Sequence, residues 1–165
     1  MRLSKQQTLS HIATVFGLGR IKVAPGTFGS IAALPLAYGL SLVGVGPYAL
    51  FMLVLFPVAV WAAEAHSAVM GEHDSQTIII DEVLGMLISL FWLPMTWQTF
   101  AIGFLLFRLL DITKPFPISV LDRKVTGGIG VIIDDVAAGV VVNVILQILL
   151  QKTMLLGLQS ITISS

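Results

Sequence analysis

Four carboxylates occur as two adjacent pairs in nearly the same local sequence. Ile79-Ile80-Asp81-Glu82-Val83 parallels Ile132-Ile133-Asp134-Asp135-Val136, and a glycine follows each pair, Gly85 in the first and Gly139 in the second. Adjacent carboxylates repel one another unless a cation sits among them. Acidic residues in the first turn of a helix also serve as caps and favour the macrodipole. Ionisable groups at the edge of a membrane span are costly, however, and usually mark function. The chain has no cysteine and only three histidines, so the donors are oxygens. Asp81, Glu82, Asp134 and Asp135 are therefore read as ligands for Mg²⁺, or for Mn²⁺ in its place.

A second group of residues suits phosphate. Arg108 and Asp111 are three apart and share a helix face. They form either a local ion pair or a site in which Asp111 is a metal ligand or a base and Arg108 clamps a phosphate. Asp122, Arg123 and Lys124 follow Pro115 and Pro117 in what reads as a loop. They are ordinary solvated charges or a basic rim, since Arg grips phosphate bidentately and Lys acts as a point charge. Two glycine-rich stretches, Ala24-Pro25-Gly26-Thr27-Phe28-Gly29-Ser30 and Thr126-Gly127-Gly128-Ile129-Gly130, each precede an apolar segment. A loop of this kind opening a helix offers free N–H groups to an anion, and Thr27 and Ser30 add hydroxyls. The spacing fits neither a Walker A nor a dinucleotide fingerprint.

The elements that must position these groups are membrane helices. Of 165 residues, 56% are hydrophobic and 11% charged, with a mean hydropathy of +0.97; an ordinary soluble domain is about 25% charged. Three stretches carry no charge: 23–63, 83–107 and 136–151. A span needs about 20 apolar residues. The first stretch is twice that and reads as a hairpin, 27–43 and 48–66, turning at Gly44-Val45-Gly46-Pro47. The second is one span or a hairpin of short helices, 79–93 and 97–112, broken at Leu93-Pro94 between Trp92 and Trp97; interfacial Trp and turn-forming Pro favour the hairpin. The third gives a helix over 130–150. Leu9, Ile12, Ala13 and Phe16 fall at helical spacing, which suggests an N-terminal helix lying on the membrane surface rather than a signal peptide. The expected fold is thus an all-α polytopic membrane bundle of about five short helices plus an interfacial one, in a single domain over 1–165.

With five spans, all nine acidic residues and every basic residue except Lys152 lie on one face. The positive-inside rule makes that face cytoplasmic. A single span over 83–107 would instead put Asp81 and Asp111 on opposite faces. The formal net charge is zero and no basic block occurs, which argues against nucleic acid. Glu64, His66, Glu72, His73 and Asp74 read as an interfacial loop, with His73-Asp74 a possible piece of a metal site; His11 reads as surface and the tail beyond 153 as featureless.

With these residues in view, the chain resembles bacterial phosphatidylglycerophosphatase A. The resemblance runs from about residue 16 to about 141. It is carried by Ala24 to Ser30, by Asp81-Glu82-Val83-Leu84-Gly85-Met86, and by Phe107 through Asp135 with Asp111-Ile112-Thr113-Lys114-Pro115-Phe116-Pro117, Asp122-Arg123, Gly127-Gly128 and Asp134-Asp135. It implies a multi-pass enzyme of the bacterial inner membrane that removes the terminal phosphate of phosphatidylglycerophosphate with Mg²⁺. On that reading Asp81, Glu82 and Asp111 are catalytic, and Arg108, Lys114, Arg123 and Lys124 bind phosphate. The partners are phospholipid substrate and membrane lipid, and oligomeric state is open. Two other classes fit the residues alone: a small cation transporter, and a non-catalytic membrane subunit.

Overall fold

The computed structural model describes residues 5–71 and 75–153. Among them every regular element is a helix: α1 (Lys5–Ala13), α2 (Pro25–Val43), α3 (Val45–Met70), α4 (Ile80–Leu90), α5 (Trp97–Thr113), α6 (Ile118–Lys124) and α7 (Gly127–Lys152), with a 3-10 turn at Leu18–Arg20. Three of these, α2, α3 and α7, are long and apolar enough to cross a membrane. Chain direction alternates, so the starts of α2, α4 and α7 and the end of α5 gather at one end of the bundle.

α2 begins with Pro25 in its first turn, where the missing N–H costs nothing. A single residue, Gly44, joins α2 to α3; its φ of +114° is one that a side chain would resist. Residues 80–113 form the hairpin rather than one span. Pro94 lies in the break, Thr96 accepts a hydrogen bond from the Thr99 N–H at 3.2 Å to cap α5, and Trp92 and Trp97 are both exposed.

α4 has only 11 residues, about 16 Å at 1.5 Å per residue. Its C-terminal carbonyls would be orphaned in an apolar medium. Neighbouring side chains satisfy them. The Tyr48 hydroxyl donates to the Leu87 carbonyl at 2.9 Å. The Asn143 amide donates to Ser89 at 3.2 Å and Phe91 at 2.8 Å, and Gln147 donates to Trp92 at 3.0 Å. α4 is the central helix, and Met86, Leu87 and Leu90 are fully buried against Phe107, Val142 and Leu146.

Gly85 and Gly139 mark the crossing of α4 and α7. A Cβ on Gly139 would collide with the Gly85 carbonyl, and one on Gly85 would lie 2.7 Å from the Asp135 carbonyl oxygen. The paired glycines of the sequence thus permit backbone contact between the two helices that carry the acidic pairs.

Several boundaries differ from the sequence reading. α7 starts at Gly127 rather than 130, so Asp134 and Asp135 lie about two turns inside the helix, not in its first turn. Glycine is a weak helix former by propensity, which hid this start; tertiary contact overrides it, because Gly128 packs on the Val60 carbonyl of α3 where no Cβ would fit. Residues 118–124 form a short helix rather than a loop, anchored by buried Ile118. α3 continues to Met70, so Glu64 and His66 are helical. His66 is buried and bonds to Ser10 of α1 at 2.8 Å and to Thr77 at 2.7 Å. α1 docks on α3 through buried Ser10 and Ala13, and Phe16 lies past its end, exposed. Glu72, His73 and Asp74 lie outside the described residues, as does the tail from 154.

Candidate active site

The gathered helix ends enclose a cavity of about 490 Å³. α4 contributes Asp81 and Glu82 from its first turn, α7 contributes Asp134 and Asp135, and α5 contributes Arg108 and Asp111 from its last turns. The hairpin is what brings Asp81 and Asp111 to one wall. Lys114 and Asp122 follow from the α5–α6 segment, and Ala24, Pro25 and Gly26 come from the start of α2.

Oxygens of Asp81, Glu82 and Asp135 lie within 4.8 Å of one another. Asp134 stands apart from that trio. Consecutive residues on a helix point about 100° apart, and Asp134 turns instead to Lys114, whose Nζ lies 2.7 Å from Oδ2. Lys114 also pairs with Asp122. Burial opposes the charge on Lys114, but its hydrogen bonds to Asp122 and Asp134 outweigh that and raise its pKa above the ordinary lysine value. Arg108 pairs with Asp111 and lies 3.7 Å from Glu82. Glycine at 26 lets the start of α2 approach the cluster closely, since a Cβ there would meet the ends of the Glu82 and Arg108 side chains, 2.8 Å from the guanidinium.

Not all of these groups are satisfied by protein. Asp81 Oδ1, Glu82 Oε2, Asp134 Oδ1 and Asp135 Oδ2 are buried without a hydrogen-bond partner, and so is Arg108 Nε. Orphaned buried oxygens are uncommon and call for a partner. Oxygens this close, drawn from three carboxylates, fit a hard divalent cation.

The remaining sequence candidates are not brought in. Ser30 is buried and donates to the Gly26 carbonyl at 2.9 Å, within its own helix. Thr27, Arg123 and Lys124 do not line the cavity, and the last two are exposed on α6. Three cavity-lining polar residues were missed by sequence reasoning, Lys22, Ser75 and Gln76. Lys22 had a signal, its place just before the first glycine-rich stretch; Ser75 had none.

The model of the family described as "Phosphatidylglycerophosphatase A" matches residues 11–150. A phosphatidylglycerophosphatase A of Escherichia coli is 40% identical over 141 residues, covering 85% of this chain and 82% of the relative. One of Haemophilus influenzae is 39% identical over 141 residues, covering 84% and 86%. A Bacteroides thetaiotaomicron protein with the provisional name phosphatidylinositol-3-phosphatase is 35% identical over 144 residues, covering 78% and 85%. No solved structure matches the chain significantly. The site residues and the matched span fall in the same stretch of sequence, and the chain belongs to the phosphatidylglycerophosphatase A family.

Proposed function

We propose that the chain hydrolyses the terminal phosphate monoester of phosphatidylglycerophosphate to phosphatidylglycerol and phosphate, dependent on Mg²⁺, at the cytoplasmic face of the inner membrane. The observation that carries the reading is the set of unpaired buried carboxylate oxygens facing Arg108 and Lys114 across one cavity. Asp81, Glu82 and Asp135 would hold the cation, and Asp134 would support it while anchoring Lys114. A bound Mg²⁺ supplies charge neutralisation at the phosphoryl oxygens and acidifies water.

The chain's own groups do the rest. The Arg108 guanidinium, held in place by Asp111, and the first turn of α2 at Gly26 bind non-bridging oxygens of the monoester. Asp111 lies outside the trio that could share an ion, so its role is to orient Arg108 and to hold the attacking water as base. The leaving alkoxide takes its proton from solvent at the open side of the cavity. An aspartyl-phosphate route is disfavoured, because no Asp-x-Asp sequence occurs.

The relatives at 39% and 40% identity bear the phosphatidylglycerophosphatase name and the one at 35% a phosphoinositide name. What those names share is a phosphate monoester on a lipid headgroup. The core beneath the site is apolar where Val83, Met86, Phe107, Ala138 and Val142 pack together, which speaks against transport.

The test is phosphate release by purified protein from phosphatidylglycerophosphate and, separately, from phosphatidylinositol 3-phosphate, with Mg²⁺ and then EDTA. Release from the first lipid, silenced by EDTA and restored by Mg²⁺, is expected. Asp81→Asn and Asp135→Asn should abolish it, and near-normal rates in those variants would refute the metal assignment. The chain has no cysteine, so a single cysteine at Arg123, labelled only from the cytoplasmic side, checks the orientation.

A further inference from the structure

We infer that the cavity opens sideways into the bilayer between the start of α2 and the end of α5, with Ile112 at the mouth where a lipid headgroup passes from the membrane to the carboxylates. The inference rests on the hydrolase reading and names the route and the part of the substrate that each side of the mouth meets.

Ile112 lines the cavity and is nevertheless 70% exposed, so its side chain stands at an opening. It is also the last member of an exposed apolar stripe on α5, Leu105, Leu109 and Ile112, spaced four and three residues apart on one helical face. In a membrane bundle that face meets acyl chains, so the lipid-facing surface runs without a break into the lip of the site. Across the mouth, cavity-lining Ala24 is preceded by Val23, also largely exposed, and followed along α2 by exposed Phe28 and Ile31. The remaining exposed residues of the mouth are polar: Lys22, Gln76 and Asp122.

The opening therefore has two halves. The apolar half is continuous with two lipid-facing helices, and the polar half faces water. A diacyl lipid with an anionic headgroup matches both at once. Its tails stay along α5 and α2, and only the headgroup crosses the lip. Entry from water would require the tails to leave the bilayer, at a cost that grows with every methylene. Charge agrees with this. Arg108 and Lys114 are engaged by carboxylates, whereas cavity-lining Lys22 makes no ion pair among the described residues. It can take the second, diester phosphate that lies between the reacting monoester and the tails.

Two measurements test this. In Ile112→Gln, kcat/KM on phosphatidylglycerophosphate in vesicles should fall about tenfold relative to kcat/KM on the same headgroup without acyl chains, equivalent to ~1.4 kcal/mol. An unmoved ratio, including equal losses on both substrates, would overturn the inference. Independently of turnover, a photoreactive benzoylphenylalanine at 112 should capture phosphatidylglycerophosphate from mixed phosphatidylcholine vesicles in excess of its share. The same probe at 105 should capture lipids in proportion to composition. Proportional capture at both positions would overturn the lateral mouth. Failure of the unsubstituted protein to release phosphate from either substrate would strike the hydrolase reading instead, and the capture ratio would still decide the mouth.

Discussion

Gly85→Ala is a one-methyl perturbation aimed at the spacing of the carboxylates without touching any of them. The added Cβ would sit 2.6 Å from Phe107 Cε2 and 2.7 Å from the Asp135 carbonyl oxygen, where ordinary contact begins near 3.4 Å. The Phe107 ring has limited freedom, because it is fully buried, and the carbonyl belongs to the α7 backbone. α4 and α7 must therefore separate, and the shortfall is about 0.7 Å. Gly85 lies one turn from Asp81, and Asp135 itself supplies the obstructing carbonyl, so the displacement enters the cluster directly. Overpacking of this kind costs ~1–3 kcal/mol. A misplacement near 1 Å costs about a hundredfold in rate, so we expect a loss between about tenfold and a hundredfold.

The assay is phosphate release at saturating lipid over a Mg²⁺ series, with thermal unfolding in detergent to show that the variant is folded. The Mg²⁺ requirement should rise along with the loss of rate. Gly39→Ala is the control: nothing lies within 4 Å of its Cβ, and it is helical. It should keep full activity and gain ~0.5–1 kcal/mol. A folded Gly85→Ala protein with its rate and Mg²⁺ requirement within about twofold of the parent would refute the reasoning that the crossing sets the site.

Three further outcomes follow from the same contacts. Asn143→Leu leaves the Ser89 and Phe91 carbonyls at the end of α4 unpaired, so it should lower stability by ~1–3 kcal/mol, and Gln147→Leu, whose bond to the Trp92 carbonyl is exposed, should lower it less; thermal unfolding checks this, and an unchanged midpoint in Asn143→Leu would mean that lipid or water replaces the amide. Lys22→Ala should raise KM for phosphatidylglycerophosphate about fivefold, or ~1 kcal/mol for an exposed charge, whereas Arg123→Ala, Lys124→Ala and Ser30→Ala should change it less than twofold; the reverse order in steady-state kinetics would contradict the cavity lining. Mg²⁺ at a hundred times its Kd should stabilise the parent by ~2.7 kcal/mol, and Asp135→Asn should lose that shift while becoming more stable than the parent without metal, because one of three crowded carboxylates is replaced by a neutral amide; an equal Mg²⁺ shift in both proteins would remove Asp135 from the ligand set.

Much of the bundle can be read from charge placement, since a charged residue inside a span is expensive and the gaps between charges are therefore spans. The hairpin at 80–113 was legible because Pro94 and two tryptophans mark a break at the interface. The start of α7 was not, because Gly127, Gly128 and Gly130 read as a loop by propensity while close packing on α3 makes them helix. Among site residues, the carboxylates showed themselves by type and pairing, and Arg108 with Asp111 by spacing. The structure keeps the Ser30 hydroxyl on the Gly26 carbonyl of its own helix, a bond that the sequence alone does not distinguish from a hydroxyl free to meet a phosphate.

The least legible feature is the one that holds the site together. Neither acidic pair alone forms the cluster: Asp134 leaves it for Lys114, and Asp135 joins Asp81 and Glu82 from another helix. The distance between them is set where Gly85 meets Gly139, four residues further along each helix. That contact stays in register only if α4 cannot slide, and α4 is too short to be fixed by its own length in the bilayer. Tyr48, Asn143 and Gln147 fix its far end, and Gly26 of α2 packs on Glu82 at its near end. Polar side chains at the opposite end of the bundle from the carboxylates thus belong to the same mechanical unit as the cluster, and a loss there should appear first as a weaker hold on the cation rather than as a change in which lipid is cleaved.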